Sequence, residues 1–186
     1  MKLEYVTGNA GKFREAQLIL SEWDLEQVDL DLEEIQGDRQ KVLLRKAQEA
    51  MKRLNRPLVI EDVSVCCNAL NGMPGPYIKD FLRCLTPKGL SELIQHYEDH
   101  RAQVICAVAY VEPGCPPIVF EGILEGTIVA PRGDTKIGKH SFNSIFQPVG
   151  STRTQGELSY QEHSQTSHRF LALTQLRDYL KRVMTK

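Results

Sequence analysis

The sequence predicts an α/β fold with a mixed sheet flanked by helices. Three observations carry that prediction. Strand-like and helix-like hydrophobic periods alternate through the first sixty or so residues, punctuated by Gly, Pro and Asn. Two long β-branched segments, "AQVICAVAYVEP" and "PIVFEGILEGTIVAP", then follow one another around a proline-rich turn. The chain closes on a helical stripe of Phe170, Leu173, Leu176, Leu180 and Val183. Strand, helix, strand, helix, strand and then a hairpin is the order of an α/β domain with a mixed sheet.

Each element has its own warrant. Residues 3–7 form a strand that enters a glycine turn. Residues 10–22 are predicted helical, because Phe13, Ala16, Leu20 and Trp23 recur at helical spacing. Residues 25–32, "LEQVDLDL", alternate as a second strand, and a helix is expected over 39–54. "RPLVIEDV", 56–63, is a short apolar run after a proline, the pattern of a buried strand ending in carboxylates. "LNGMPGPYIKDFL", 70–82, holds two glycines and two prolines and reads as a shaped loop leading into a helix. A further helix starts at Thr86 as N-cap with Pro87 at its first position. The last helix is expected from about residue 167.

Composition narrows the class. A chain of 186 residues, 41% hydrophobic and 25% charged, suits one domain spanning 1–186. A net charge of −1 and the lack of a basic patch argue against nucleic-acid binding, which draws on clustered Lys and Arg. No apolar run is long enough to span a bilayer, and no signal-peptide-like stretch follows residue 1. The five cysteines are odd in number and form no CxxC pair, which fits reduced thiols rather than disulfides or zinc. A cytoplasmic location is expected.

Four groups of residues could carry chemistry. "VTGNAGK", 6–12, places Thr7, Gly8, Asn9, Ala10, Gly11 and Lys12 between a strand and a helix. Backbone N–H groups at a helix start, with the helix dipole and a lysine, make an anion site. The spacing is neither GxxxxGK[ST] nor GxGxxG, and a plain strand-to-helix turn explains it equally well. Lys46 shares a helical stripe with Leu43 and Ala50, so a charge interrupts an apolar face. It either snorkels to water or serves as a phosphate-binding ammonium. Glu61 and Asp62 lie at the end of one predicted strand and Glu34 follows another, where ligands sit in parallel-type sheets. Successive strand residues face opposite ways, so Glu61 and Asp62 are expected to do different jobs. Carboxylates near phosphates point to Mg2+; the alternative is a solvated strand end. Finally, "TSHRF" sets His168 and Arg169 where the last helix begins; a cap explains the Ser or Thr but not the His–Arg pair.

Together these stretches resemble the inosine triphosphate pyrophosphatase, or Ham1, family. The resemblance runs through "TGNAGK" at 7–12, "EIQGD" at 34–38, "KAQEA" at 46–50 and "IEDVSVCCNALNGMPGPYIKDFL" at 60–82. It continues in "GTIVAPRG" at 126–133, "FQP" at 146–148 and "SHRFLAL" at 167–173. The central segment is closest to the eukaryotic branch. The resemblance implies an elongated fold with two lobes around a nucleotide cleft, and a homodimer. It implies Mg2+-dependent hydrolysis of deaminated purine triphosphates such as ITP, dITP and XTP to the monophosphate and pyrophosphate, with Mn2+ as an alternative ion. By position, residues 7–12 and Lys46 would hold phosphates. Glu34 and Asp62 would hold the metal, Asp62 also orienting or deprotonating the attacking water. Lys79 would reach the nucleotide from the proline-rich loop, and His168 and Arg169 would face the base. Donors there suit a carbonyl at purine position 6 and leave adenine's amino group opposed.

The sequence departs from the family in three places. The loop "DTKIGKHSFNSI" is about three residues longer than usual and puts Phe142 at the family's tryptophan and Asn143 at its aspartate. Val63 stands where a Thr hydroxyl is usual, beside Asp62. His163 replaces a lysine ahead of "SHR". All touch base or phosphate recognition; none touches Glu34, Lys46 or Asp62. The alternatives are a shifted base preference, or a catalytically weakened nucleotide-binding protein on the same fold.

Overall fold

The first strand, β1 (Lys2–Val6), is buried from Leu3 onward, which places it inside a sheet rather than at an edge. It belongs to a computed structural model that describes residues 2–133 and 141–184. With β5 at Arg101–Val111 and the other strands as bounded next, one mixed sheet runs β2-β1-β3-β5-β6-β7, with β4 paired to β3 off that path. β1 lies parallel to both β2 (Asp24–Val28) and β3 (Leu58–Cys67). The two-residue β4 (Pro74–Gly75) is antiparallel to β3, and β7 (Phe146–Pro148) is antiparallel to β6 (Ile118–Ile128). The helices are α1 (Ala10–Ile19), α2 (Arg39–Leu54), α3 (Ile78–Gln95), α4 (Tyr160–Thr166) and α5 (His168–Met184). The expected α/β class with a mixed sheet is what the chain adopts.

Several boundaries differ from expectation. α1 stops at Ile19, not 22, because β2 begins at Asp24 and the chain must turn first. β2 ends at Val28, where its partner Val6 ends β1. α2 spans the expected residues, with Asp38 accepting the Lys41 N–H at 2.9 Å as N-cap. β3 runs on to Cys67. The sequence placed Glu61 and Asp62 at a strand end; they lie mid-strand. Pairing with β1 stops at Ile60, so the two carboxylates occupy the end of the parallel ladder even though the strand continues. α3 is broken at Thr86 (φ 64°), and the Thr86 hydroxyl accepts the Gly89 N–H at 3.3 Å. That break is the expected start of a second helix at Thr86–Pro87. The last helix begins at His168, and the short α4 precedes it.

The chain forms two compact units. One holds the described residues of 1–62, Cys106–Gly122 and the described residues from His168 on; the other holds the described residues of Val63–Ile105 and Ile123–Ser167. In the first, Leu43, Ala47 and Ala50 of α2 pack on Val6, Leu58 and Ile60, with Ala107, Ala109 and Val111 of β5 (Arg101–Val111). In the second, Val65, Cys67, Ile78, Leu82, Ile128, Ile145 and Phe146 are among the residues of a separate core. β3, β5 and β6 each contribute residues to both units.

Candidate active site

The strand-to-helix turn is held by its own side chains. Asn9 caps α1: its Oδ1 accepts the N–H groups of Gly11 (2.9 Å) and Lys12 (3.2 Å). Thr7 Oγ1 accepts the Asn9 N–H at 3.1 Å, and Gln27 Nε2 donates to the Thr7 carbonyl at 2.9 Å. The sequence offered the helix-start N–H groups to a phosphate; in this structure Asn9 takes two of them, because an N-cap amide satisfies donors that water or an anion would otherwise serve. Gly8 abuts Asp29, so closely that a Cβ there would sit 2.6 Å from Asp29 Oδ1.

Beyond the turn, β3 presents adjacent carboxylates to two different environments. Lys46 on α2 donates from Nζ to Asp62 Oδ1 (2.9 Å) and Glu34 Oε1 (3.2 Å). Its side chain is only 14% exposed, so it does not snorkel into solvent but is paired. Burial alone would lower its pKa, yet Asp62 and Glu34 together raise it. Asp62 is pushed upward by burial, against the pull of Lys46 and Lys12. Its Oδ2 is buried and has no hydrogen-bond partner. Lys46, Asp62 and Glu34 sum to one negative charge.

Glu61 faces a closed network. It accepts from the Tyr5 hydroxyl (2.5 Å) and from Arg169 Nε (3.0 and 2.8 Å), and Lys12 Nζ lies 3.0 Å from Oε1. Arg169 reaches on through its terminal nitrogen to Glu15 Oε2 at 2.6 Å. Lys12, Arg169, Glu61 and Glu15 sum to zero charge. Burial works to raise the Glu61 carboxyl, but Arg169 and Lys12 outweigh it and hold the group well below the usual carboxylate range. Burial and the neighbouring Glu61 push the Tyr5 hydroxyl and the Cys106 thiol far up, so both stay protonated. Arg169 reaches this network from the first turn of α5. That turn lies directly on β6: a Cβ on Gly122 would fall 2.1 Å from the His168 carbonyl oxygen.

The remaining residues fall as follows. His168 is buried beside Arg169. Lys79 is the second residue of α3, not part of the loop, which ends at Tyr77; it is exposed. His163 lies on α4 and is half-buried. Val63 and Phe142 are partly buried against the core of the second unit, and Asn143 donates its N–H to Ser141 Oγ at 3.2 Å. Residues 134–140 of the lengthened loop lie outside the described residues. Sequence reasoning did not assign Tyr5, Glu15, Gln27 or Asp29. Only Glu15 left a trace, as an acidic residue beside Ala16 on the apolar stripe of α1.

A divalent ion fits the Asp62 side of β3. The donors are hard oxygens, one buried carboxylate oxygen lacks a partner, and the local charge is negative. No group of three or more His, Cys, Asp or Glu gathers among the described residues. Mg2+ needs no such cage, because it binds through one or two carboxylates, waters and substrate phosphates.

The pattern of the Ham1 family matches residues 3–179. The chain belongs to the Ham1 family. It is 39% identical to an inosine triphosphate pyrophosphatase of Puccinia graminis f. sp. tritici over 98% of each chain. It is 42% identical to one of Yarrowia lipolytica over 97% of this chain and 96% of that one. Among solved Ham1-family structures, the HAM1 protein of Coxiella burnetii superposes with a TM-score of 0.85 at 26% identity, covering 98% of this chain and 99% of that one. A nucleoside-triphosphatase, dITP/XTP pyrophosphatase, of Mycobacterium abscessus superposes at 0.71 with 28% identity, covering 95% and 98%.

Proposed function

We propose that this Ham1-family chain is a nucleoside triphosphate pyrophosphatase that hydrolyses ITP, dITP and XTP to the monophosphate and pyrophosphate. The observation that carries this reading is the Asp62–Lys46–Glu34 group, with its unpartnered buried oxygen, in a chain about 40% identical to inosine triphosphate pyrophosphatases over nearly full length. Lys46 and Lys12 neutralise phosphate oxygens, and the turn of residues 7–12 receives the polyphosphate once Asn9 yields its N–H groups. Asp62 Oδ2 orients a water and takes its proton as the oxygen adds to phosphorus; the α–β anhydride bond breaks and pyrophosphate leaves. Asp62 and Glu34 would hold Mg2+, or Mn2+ in its place, which supplies Lewis acidity and charge neutralisation towards the phosphates. Lys79 and His163 serve the nucleotide, Val63 lines it, Phe142 and Asn143 meet the base or sugar, and His168 and Arg169 set base preference.

We further propose one folding domain over 1–186, a homodimer, and a cytoplasmic location. The chain passes between the two units at 62/63, 105/106, 122/123 and 167/168, so neither unit is a continuous stretch. All five cysteines are free, as a reducing compartment requires. No helix among the described residues is long and apolar enough to cross a membrane. The test is pyrophosphate release across ITP, dITP, XTP, GTP and ATP, with and without Mg2+. Turnover of the first three, dependent on the ion, is expected; binding without turnover would make the chain a nucleotide-binding protein instead.

A further inference from the structure

We propose that Glu61 is a positioning residue: it fixes the Lys12 ammonium for the polyphosphate while its neighbour Asp62 fixes that of Lys46. The inference rests on the pyrophosphatase reading and extends it to a residue that touches no substrate atom. Lys12 has a side chain only 27% exposed, and its Nζ sits 3.0 Å from Glu61 Oε1. A lysine in the first turn of a helix otherwise samples many rotamers and must lose that freedom when an anion binds. Glu61 removes that cost beforehand. Glu61 is itself immobile: its side chain is 1% exposed, Tyr5 and Arg169 hold it, and Glu15 holds Arg169.

The arrangement also sets a distance. Glu61 and Asp62 are consecutive on an extended strand, so their side chains leave β3 in opposite directions. One pairs with a lysine from α1, the other with a lysine from α2. A single peptide unit of β3 thus fixes two ammonium groups relative to each other. Both ammonium groups act on the Asp62 carboxyl, so an anion that enters there meets two fixed positive charges. Lys12 gives one N–H to Glu61 and keeps two donors for phosphate oxygens. Arg169 Nε reaches both Glu61 oxygens and shares Oε1 with Lys12, so the carboxylate divides its charge between two cations and neutralises the ammonium only in part.

A double-mutant cycle on the full chain tests this, with Lys12→Met, Glu61→Gln and the pair. Two quantities are read: KM and kcat for dITP, and the Kd of inorganic triphosphate by calorimetry. Glu61→Gln should raise KM and the triphosphate Kd about tenfold and change kcat less than about threefold, since positioned binding is felt before the chemical step. In the Lys12→Met background the same substitution should change neither, because the group it positions is gone. Should Glu61→Gln not fold, Glu61→Asp keeps the charge and the Arg169 pair but draws back from Lys12. It should shift both constants in the same direction by a smaller factor. Additive effects in the cycle, or a lower melting temperature with unchanged Kd, would overturn the proposal. Wild-type protein that turns over none of ITP, dITP and XTP would sink the pyrophosphatase reading alone, because the triphosphate cycle still reads Glu61.

Discussion

Glu61 and Asp62 are neighbours on one strand with the same charge, yet the two sides of β3 treat them oppositely. Glu61 is saturated: a tyrosine, an arginine, a lysine and the Cys106 thiol surround it, and with Glu15 the local charge is neutral. Asp62 has one lysine, a second carboxylate close by and an oxygen with nothing to bind. Their titration follows. Cations outweigh burial at Glu61 and depress it, whereas burial outweighs cations at Asp62 and raises it. A satisfied buried carboxylate is part of the frame; an unsatisfied one is poised to take a proton or a metal.

The largest expected effect breaks the reactive side. Asp62→Asn keeps size and shape but removes the basic oxygen and a metal donor. Turnover of dITP should fall by about 10² to 10⁴, with a melting temperature within a few degrees of wild type. A variant with near-normal kcat would take Asp62 out of the chemistry and leave the contrast with Glu61 without function.

The second prediction breaks the other side. Glu61→Gln leaves Arg169 with one counter-charge fewer in a buried place, a change that costs about 3–5 kcal/mol and lowers the melting temperature by on the order of 10 °C. The pH dependence identifies the cause. The folded pKa of Glu61 lies below its unfolded value, so its stabilisation is complete above about pH 4.5. It is lost as pH falls from there towards the folded value. The gap between wild-type and Glu61→Gln melting temperatures should therefore be constant from pH 7 to about 5 and narrow below that. A gap unchanged by acid would mean that packing, not charge, is what the glutamate supplies.

The Asp62 side could be read from the sequence, and the Glu61 side could not, for a physical reason. Lys46 shows as a charge at i+3 in an apolar stripe, and the carboxylates end an apolar run; both signals are local. Tyr5 and Arg169 lie 56 and 108 positions from Glu61 in the chain, and Arg169 reaches Glu15 across 154. Periodicity does not encode such distances; strand parity said only that Glu61 and Asp62 would part company. The fold class was legible because alternating periods determine it. The length of β3 was not, because after β1 has ended it continues on its pairing with β5, joined at Val65 and Cys66 by the two-residue β4.

A smaller effect comes from moving Arg169 without touching its ion pairs. Gly122→Ala would drive a Cβ into the His168 carbonyl oxygen and the Ala172 nitrogen, both backbone atoms that cannot rotate aside. Such overpacking costs about 1–3 kcal/mol and pushes the first turn of α5, with Arg169, away from β6. Selectivity for dITP over dATP should fall along with the melting temperature. A stable variant with unaltered selectivity would show that Arg169 keeps its place by its ion pairs alone.

The smallest effect is at Phe142, in the unit that does not contain the two carboxylates. It packs partly on a core that includes Ile145 and Phe146, so truncation to Ala would mix lost packing with lost stacking. Phe142→Leu separates them. Leucine keeps most of the apolar volume and lacks a flat aromatic face, so the melting temperature should move by no more than about 2–4 °C. Stacking on a base is worth about 1–3 kcal/mol, and a half-buried phenyl ring supplies a fraction of that. KM for dITP should then rise about two- to fivefold, with kcat unchanged, because stacking acts on ground and transition states alike. An unchanged KM at an unchanged melting temperature would make Phe142 a packing residue of the lengthened loop. Base reading would then fall to the unit of Glu61 and Asp62, where His168 and Arg169 lie.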